Sequence, residues 1–250
     1  MSKRKWGDVI QTKTASETVY DILHRNIINL NLIPGTIMSE KEISEKMKLS
    51  RTPVREAFIR LSKEALVTVV PQKGSFVSRI NLARVKEERF LRESLETSVL
   101  EELILNKDPL FLDDFHLNLE KQKIALDSGE SNRFMELDDQ FHSMFFDLVD
   151  RPMCFEVIMS FSSHYRRVRY LSMAVSGVSD ENLKHHRELI HLIGNRDLEG
   201  AQEIMKVHLR KLNIEKNIIY QKFPDYFKDT PSAGGLDLMD EKLLFQGMNR

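Results

Sequence analysis

Cysteine is nearly absent from this chain of 250 residues, which has only Cys154. A single cysteine excludes an internal disulfide and is typical of proteins in a reducing compartment, so we expect a cytoplasmic location. The sequence also lacks an apolar run long enough to cross a bilayer, and therefore no membrane partner is predicted. Residues 1–10 are basic but have no continuous apolar segment, which does not favour a secretory signal.

Strand-forming segments are scarce as well and occur only in the first third of the chain. Residues 67–70 and 75–78 have strand-like composition, and Pro71-Gln72-Lys73-Gly74 joins them as a tight turn. Three helical patterns precede this hairpin, and the first two open with capping boxes at Thr14-Ala15-Ser16-Glu17 and Ser39-Glu40-Lys41-Glu42. Three helices followed by a hairpin predict a winged helix-turn-helix over residues 13–80.

From Leu82 onward the sequence shows only helical patterns, so the predicted fold class is mainly α. Six helices are expected at about 82–106, 109–128, 131–149, 152–175, 180–193 and 198–222. They predict an all-α antiparallel helical bundle over residues 81–222, a shape that commonly places ligand sites between facing helices. Residues 223–250 are expected to form a flexible C-terminal tail.

Charge is unevenly divided, although the net charge is only −1. Residues 1–80 have 14 Lys and Arg against 8 Asp and Glu, whereas residues 81–250 have 23 against 30. The first part therefore carries +6 and the rest −7. A basic first domain on an acidic body indicates that only the first domain meets a polyanion, although chance scatter of charges would look the same.

The third helical pattern, which begins near Arg51, separates apolar from cationic side chains. Its apolar stripe consists of Val54, Ala57, Phe58 and Leu61. Arg51, Thr52 and Arg55 fall outside this stripe, and near a helix N-terminus they can reach phosphates and base edges in a DNA groove. Lys73 at the hairpin tip can reach an adjacent groove, where Gly74 permits a close backbone approach. The alternative is an ordinary solvated helix face, which the further cation on the hairpin disfavours.

Four potential metal ligands lie on three of the body helices. Asp138 and His142 are four residues apart and so share one helix face, while His186 and His208 lie on two later helices. One carboxylate and three imidazoles suit a divalent transition metal, whose open positions could accept a carboxylate from a small molecule. The alternatives are a surface Asp–His pair and histidines that face solvent or hydrogen-bond within the core. We assign the remaining five histidines to that second class.

The N-terminal motifs resemble those of the GntR family of bacterial transcription regulators. The resemblance rests on Ser50-Arg51-Thr52-Pro53-Val54-Arg55-Glu56-Ala57, on Leu61 with Leu66-Val67, and on Gly74-Ser75-Phe76-Val77. It implies operator contacts by Lys41, Ser50, Arg51, Thr52 and Arg55, and minor-groove contacts by Gln72, Lys73 and Gly74. Two positions depart from the family pattern. Lys41 replaces the common arginine, which weakens a bidentate contact, and Ala65 replaces the usual glycine at the helix end.

The body resembles the FCD effector domain found in FadR-type regulators. The matching segments are Leu137-Asp138-Asp139-Gln140-Phe141-His142 and His186-Arg187-Glu188-Leu189-Ile190 with Asp197, Ala201, Met205 and His208-Leu209. The resemblance implies that Asp138, His142, His186 and His208 bind a divalent metal ion, zinc first, with nickel, manganese or iron as alternatives.

A third body segment, Arg92-Glu93-Ser94-Leu95-Glu96, is similar to the family's Arg-x-x-Leu-Glu pattern. This similarity implies that Arg92 binds an acidic effector, with a salt bridge to a neighbouring helix as the alternative. One of Arg166, Arg167 and Arg169 could also face the ligand, but the sequence does not select among them. The six predicted helices indicate the shorter, VanR-type arrangement of this domain.

The leading hypothesis from the sequence is a metabolite-responsive transcription regulator, a repressor rather than an enzyme. A homodimer would bind double-stranded operator DNA, a small organic acid would bind at the metal, and residues 78–84 would transmit the signal. One alternative is a metalloenzyme with a DNA-binding head, although no further residue is placed as a general base beside the metal ligands. The others are a plain metal sensor and an architectural DNA-binding protein.

Overall fold

The computed structural model describes residues 13–108, 111–174 and 178–228. Its first domain contains helices α1 (Ala15–Ile28), α2 (Glu40–Met47) and α3 (Arg51–Lys63), and strands β1 (Ile37–Met38), β2 (Val67–Val70) and β3 (Gly74–Val77). The strands form an antiparallel sheet in the order β1-β3-β2. The predicted winged helix-turn-helix is therefore confirmed. The two-residue strand β1 was not predicted, since two residues are too few to show a periodic pattern.

The caps inferred from the sequence begin the first two helices. Thr14 accepts a hydrogen bond from the backbone N–H of Glu17, whose carboxylate accepts from the N–H of Thr14, so both halves of a capping box are present. Ser39 accepts from the N–H of Glu42 at the start of α2. The helices enclose one apolar cluster, which includes Val19, Leu23, Ile27, Val54, Phe58, Leu61, Leu66 and Val77.

Ala65 takes the backbone conformation that glycine usually supplies at a helix end. Its φ is +56°, in the left-handed region. The next residue, Leu66, donates its N–H to the carbonyl of Leu61 at 2.9 Å, which closes α3 and directs the chain into β2. The alanine therefore leaves the helix end in place and instead carries the strain of a left-handed L-residue.

We expect Ala65→Gly to raise the free energy of unfolding by about 1 kcal/mol, because glycine adopts this φ without a Cβ clash. Urea titration would measure the change. Ala83→Gly, in the first turn of the next helix, is the matched control and should lower stability by up to about 1 kcal/mol. A loss of stability in both variants would contradict the strain assigned to Ala65.

The second domain is a helical bundle. Its helices are α4 (Leu82–Asn106), α5 (Leu112–Asp127), α6 (Ser131–Leu148), α7 (Pro152–Ser160), α8 (Ser163–Met173), α9 (Val178–Gly194), α10 (Leu198–Arg210) and α11 (Leu212–Lys222). The mainly α fold is confirmed, but the predicted count of six helices is wrong. Two predicted helices are each divided, at Phe161–Ser162 and at Lys211, where neither proline nor glycine marks the break. The VanR-type arrangement inferred from that count stays a prediction.

Apolar side chains between the helices form the core of this domain. Phe115, Phe141 and Phe145 pack with ring centroids 4.7 to 5.4 Å apart, and Phe146 lies in the same cluster. This core holds α5, α6, α9 and α10 in fixed positions, and the candidate metal ligands project from the last three of these helices.

The segment assigned to the tail starts with residues that pack on the bundle. Pro224–Tyr226 form a 3₁₀ helix, and Phe227 is buried beside Ile80 and Tyr220. Ile80 donates to the carbonyl of Tyr226 and accepts from Lys228, both at 2.8 Å. Residues 229–250, the rest of the predicted tail, lie outside the described residues. Within the described ranges, no helix has the length and hydropathy needed to span a bilayer.

Candidate metal centre and DNA-binding face

Helix α3 presents its cations to solvent because its opposite face is fully buried. Val54, Ala57, Phe58 and Leu61 lie in the core, whereas Arg51, Thr52 and Arg55 are exposed. Ser50 occupies the N-cap position, but its hydroxyl makes no capping hydrogen bond. The first turn contains no acidic residue, so the positive end of the helix dipole faces outward together with the arginines.

Contacts between α1 and the C-terminal end of α3 fix the orientation of α3. The hydroxyl of Tyr20 donates to the carboxylate of Glu64 at 2.8 Å, and the guanidinium of Arg60 lies 3.5 Å from the centre of the Tyr20 ring. Burial, followed by the contact with Glu64, raises the pKa of Tyr20. The phenol therefore stays a hydrogen-bond donor, and α3 is held by its C-terminal end while its N-terminal end stays accessible.

The other predicted DNA contacts are exposed as well. Lys41 on α2 lies 3.9 Å from Glu45 in a solvent-exposed ion pair. Gln72, Lys73 and Gly74 form the tip of the β2–β3 hairpin, where Gln72 has a φ of +62° and Gly74 a φ of +107°. All eight residues assigned to DNA contact are thus accessible on the first domain.

The four predicted metal ligands meet in the interior of the bundle. Asp138 and His142 project from α6, His186 from α9 and His208 from α10, and one donor atom from each lies within 4.8 Å of the others. Oδ2 of Asp138 is 3.8 Å from Nε2 of His142, and Oδ1 of the same carboxylate is 3.7 Å from Nε2 of His186. The Nε2 atoms of His186 and His208 are 3.4 Å apart. Donors bound to one ion at about 2.1 Å lie up to about 4.2 Å apart, so these three separations suit a common ion.

Two further side chains orient the imidazoles. A carboxylate oxygen of Glu96 lies 2.6 Å from Nδ1 of His142, and the amide oxygen of Gln122 lies 3.0 Å from Nδ1 of His186. Each acceptor holds the proton on Nδ1 and turns the lone pair of Nε2 toward the cluster. Nε2 of His142 is buried and has no hydrogen-bond partner among the described residues, as expected of an atom that awaits a metal ion.

The electrostatics of the cluster favour the neutral forms of His186 and His208. Burial lowers the pKa of His186 and His208 well below the usual value, so both rings are unprotonated near neutral pH. Burial alone would raise the pKa of Glu96, but His142 and Arg92 outweigh it and lower that pKa to about 2. The site thus combines two imidazoles, of His186 and His208, that need no deprotonation with a negative charge behind His142.

Arg92, the predicted effector ligand, is fully buried beside the metal cluster. Its Nε donates to Glu96 at 2.6 Å, one turn along the same helix rather than on a neighbouring one. Its Nη2 has no hydrogen-bond partner among the described residues, and its guanidinium lies 5.8 Å from the centre of the Tyr165 ring. Arg92 is not among the residues that line the cavity next to the cluster.

That cavity opens beside two of the four ligands. Its wall consists of Met135, Asp138, Tyr165, Arg169, Ser172, Asn182, His208, Lys211 and Leu212. Arg169 pairs with Asp138 and donates to Asp139 at 2.7 Å, and Lys211 lies 2.7 Å from Glu181. Of the three arginines that the sequence left undecided on α8, the structure places Arg169 at the cavity.

Sequence reasoning missed several members of this site. Glu96 belongs to the segment quoted for Arg92 and lies four residues after it, a spacing that could have identified the pair. Gln122 is a polar residue on the buried face of α5, which is a weaker signal. Lys211 and Asn182 could not have been assigned, because only the approach of α9 and α10 brings them to one cavity. His185 lies outside the four-residue cluster, while His186 lies in it.

The comparisons with known proteins agree with this architecture. Residues 15–77 match the family model of the bacterial regulatory proteins of the gntR family, and residues 89–211 match the FCD domain. The solved structure of E. coli McbR/YncC superimposes with a TM-score of 0.69 at 20% identity, over 85% of this chain and 100% of that one. The structural likeness supports the fold.

Two relatives are similar over nearly the whole chain. The HTH-type transcriptional repressor RspR of Escherichia coli K12 is 31% identical over 218 residues, which are 87% of this chain and 96% of that protein. An uncharacterized HTH-type regulator in an unstable DNA locus of Streptomyces ambofaciens is 33% identical over 216 residues, which are 86% and 90%. The chain therefore belongs to the gntR family of bacterial regulatory proteins, as a DNA-binding transcriptional regulator with a winged helix-turn-helix and an FCD domain.

Proposed function

We propose that this regulator is a repressor that binds a two-fold-related operator as a homodimer and responds to a small organic acid. The acid would bind in the cavity of the FCD domain beside a divalent metal ion. The observation that supports this function is the position of the cavity, which borders two of the four clustered ligands and carries two cations in its wall. The relative RspR is named a transcriptional repressor, which favours repression over activation for this regulator.

The residues present fit a metal ion. The imidazoles of His142, His186 and His208 and the carboxylate of Asp138 would hold it, with Glu96 and Gln122 as outer partners. The buried Nε2 of His142, which has no hydrogen-bond partner among the described residues, costs stability unless a cation uses it. When bound, the ion would supply a Lewis-acid contact for a carboxylate oxygen. Zinc suits this donor set first, and nickel, manganese or iron are alternatives.

Arg169 and Lys211 would select an anionic ligand. Arg169 approaches Asp138 and Asp139, so an incoming carboxylate would exchange with carboxylates that the guanidinium already contacts. Asn182 and Ser172 in the same wall could hydrogen-bond hydroxyl or carbonyl groups of the ligand. This lining favours a small oxygenated acid over an apolar ligand. Arg92, behind Glu96, is the weaker candidate for direct contact.

An apolar surface on the bundle is suited to the second subunit. Met153 and Val157 on α7 and Phe161 at its C-cap follow one another at intervals of four and are 68%, 37% and 57% exposed. Phe90 on α4 is 70% exposed. Exposed large side chains in a row are typical of protein contact surfaces, and a two-fold dimer would present two copies of α3 to a palindromic site.

Selection of DNA fragments from a random library by the full-length protein would test the operator-binding function. We expect enrichment of one sequence with two half-sites spaced by about one helical turn, and protection of that sequence in footprinting. Candidate organic acids would then be tested for their ability to release the protein from this DNA. If release from or binding to the operator depends on metal alone, the protein is a plain metal sensor. Enrichment of no DNA sequence would contradict the proposal.

The outer partner Glu96 provides a separate prediction for the metal centre. Glu96→Gln keeps the size of the side chain but removes the negative charge behind His142, so zinc affinity should fall by roughly 10- to 100-fold. Competition with a chromophoric chelator would measure the affinity. Glu93→Gln is the matched control on the same helix, since Glu93 contacts Arg89 and Arg210 instead of a ligand. Equal affinities of the two variants would remove Glu96 from the metal site.

A further inference from the structure

Residues 78–81 connect the two domains and are called the connector. They are hydrogen-bonded to the first turns of α8. Arg167 donates from Nη1 to the carbonyl of Ser78 at 2.6 Å and from Nη2 to Nδ1 of His164 at 2.8 Å. The same Nδ1 accepts the backbone N–H of Asn81 at 3.1 Å. Both ends of the segment 78–81 are thus bound to neighbouring residues of one helix.

The start of α8 is in turn hydrogen-bonded to a buried carboxylate of the second domain. Glu88 on α4 accepts the backbone N–H groups of His164 and Tyr165 at 2.9 and 2.7 Å. Because these are the first N–H groups of α8, the carboxylate also meets the positive end of its dipole. The start of α8, the start of α4 and the connector therefore form one hydrogen-bonded unit.

The burial of the Arg167 guanidinium lowers the stability of the fold, and packing alone does not explain why a cation stands at this position. Its side chain is fully buried, and among the described ion pairs none brings a carboxylate to within 4.0 Å of it. Burial lowers its pKa to about 10. The guanidinium is held by the carbonyls of Ser78 and Ser163 and by the imidazole of His164, and the charge of Glu88 offsets its burial only in part. Such a buried cation destabilises a fold compared with an apolar side chain of the same size. Its position is better explained by the hydrogen bond that it makes between α8 and the connector.

Other faces of α8 contact the cavity and the first domain. Tyr165, Arg169 and Ser172 line the cavity at helical spacing. Arg169 is bound to Asp138 and Asp139 of α6, next to the metal ligands. Tyr170 packs against the apolar cluster of the winged helix-turn-helix. One helix of eleven residues thus contacts the cavity, the connector and the DNA-binding domain.

We propose that α8 transmits occupancy of the cavity to the DNA-binding domain, and that Arg167 is the coupling residue that ties the connector to it. A short helix moves as a rigid body, so a displacement at Arg169 reaches Ser78 through one side chain and one carbonyl. This inference rests on the proposed function for its ligand. The fastening of the connector by Arg167 can be tested without any ligand.

Hydrogen exchange of the full-length protein, with and without Zn²⁺, tests the proposal. In metal-free protein, Arg167→Met should speed exchange of the amides of residues 78–81 by roughly 10- to 100-fold, because a charge-assisted hydrogen bond is lost. Addition of Zn²⁺ should change exchange of this connector in the wild type. In Arg167→Met, Zn²⁺ should still protect α6, α9 and α10, but the connector should no longer respond.

Two further variants keep the result interpretable. Arg166→Met removes the neighbouring cation, whose partner is Asp139 rather than the connector, and should leave connector exchange unchanged in metal-free protein. Arg167→Lys retains the charge for the case that the methionine variant does not fold. It should show a smaller change in the same direction, since an ammonium cannot reproduce the two-pronged contact.

The outcomes separate this proposal from the metal site. A connector that responds to Zn²⁺ in Arg167→Met as in the wild type, or that fails to respond in the wild type while Zn²⁺ is bound, overturns it. If Zn²⁺ does not bind at all, the metal site of the proposed function fails. Arg169→Met then replaces Zn²⁺ as the perturbation of the cavity, and an unchanged connector in that variant overturns the proposal.

Discussion

Replacement of Arg55 by alanine is expected to abolish the preference of this protein for its operator while leaving the fold intact. Arg55 is exposed on α3, and its helix is held in place by buried residues on the opposite face. One bidentate contact to a base is worth about 1–3 kcal/mol of discrimination, so the two half-sites bound by a dimer should lose about 2–6 kcal/mol. Affinity for the operator should therefore fall by roughly 30-fold to 20,000-fold.

The comparison of operator with unrelated DNA decides whether Arg55 reads bases. Phosphate contacts by the remaining cations are independent of sequence, so binding of the variant to unrelated DNA should change little. Lys63→Ala, at the opposite end of α3, is the matched control and should keep the operator preference. Titrations at a fixed salt concentration would measure both affinities. An operator preference that survives in Arg55→Ala would refute the assigned role.

Replacement of His208 by alanine is expected to remove the metal ion without weakening basal DNA binding. The loss of a direct ligand should lower zinc affinity by more than the roughly 10- to 100-fold typical of outer partners. In the wild type, zinc at a hundred times its dissociation constant should stabilise the folded protein by about 2.7 kcal/mol, and this gain should disappear in the variant. The response to an organic acid should be lost together with the ion.

Metal analysis and thermal unfolding with and without zinc would measure these effects. His191→Ala is the matched control, because His191 is exposed on α9 and contacts Asn195 rather than the cluster. It should keep both the metal content and the zinc-dependent stabilisation. Full metal occupancy in His208→Ala would remove this histidine from the set of ligands, and a loss of operator affinity in metal-free protein would contradict the separation of the two sites.

Most of the fold could be predicted from local patterns, because the information lies within a few neighbouring residues. The capping box at Thr14, the N-cap at Ser39 and the turn at Gln72–Gly74 each need only four or five positions, although the reciprocal bond of the capping box predicted at Ser39 is missing. Helix breaks without proline or glycine were missed at Phe161 and Lys211. At those points the chain turns because neighbouring helices require it, and no local residue records that requirement.

The candidate metal site also has one part that spacing along the chain predicts and another part that depends on helix packing. Asp138 and His142 share a face by spacing alone, while His186 and His208 were assigned through the resemblance to the FCD domain. Their meeting point depends on the packing of α6, α9 and α10 around large aromatic rings. That packing also placed Arg169 at the cavity and buried the Arg92–Glu96 pair, because the rotation of a helix about its axis is set by all its neighbours.

By itself the sequence predicted a winged helix-turn-helix followed by a helical domain and the cationic face of α3, since periodicity, caps and motif spacing are local properties. It also proposed four candidate metal ligands, for which the resemblance to the FCD domain was needed beside the spacing. Only the tertiary structure decided which arginine faces the cavity, which carboxylate orients His142 and how Arg167 binds the connector. Those contacts join residues 46 to 89 positions apart in the chain, as for Glu96 with His142 and Ser78 with Arg167. Such pairs form only when the whole bundle closes, because no short segment contains both partners.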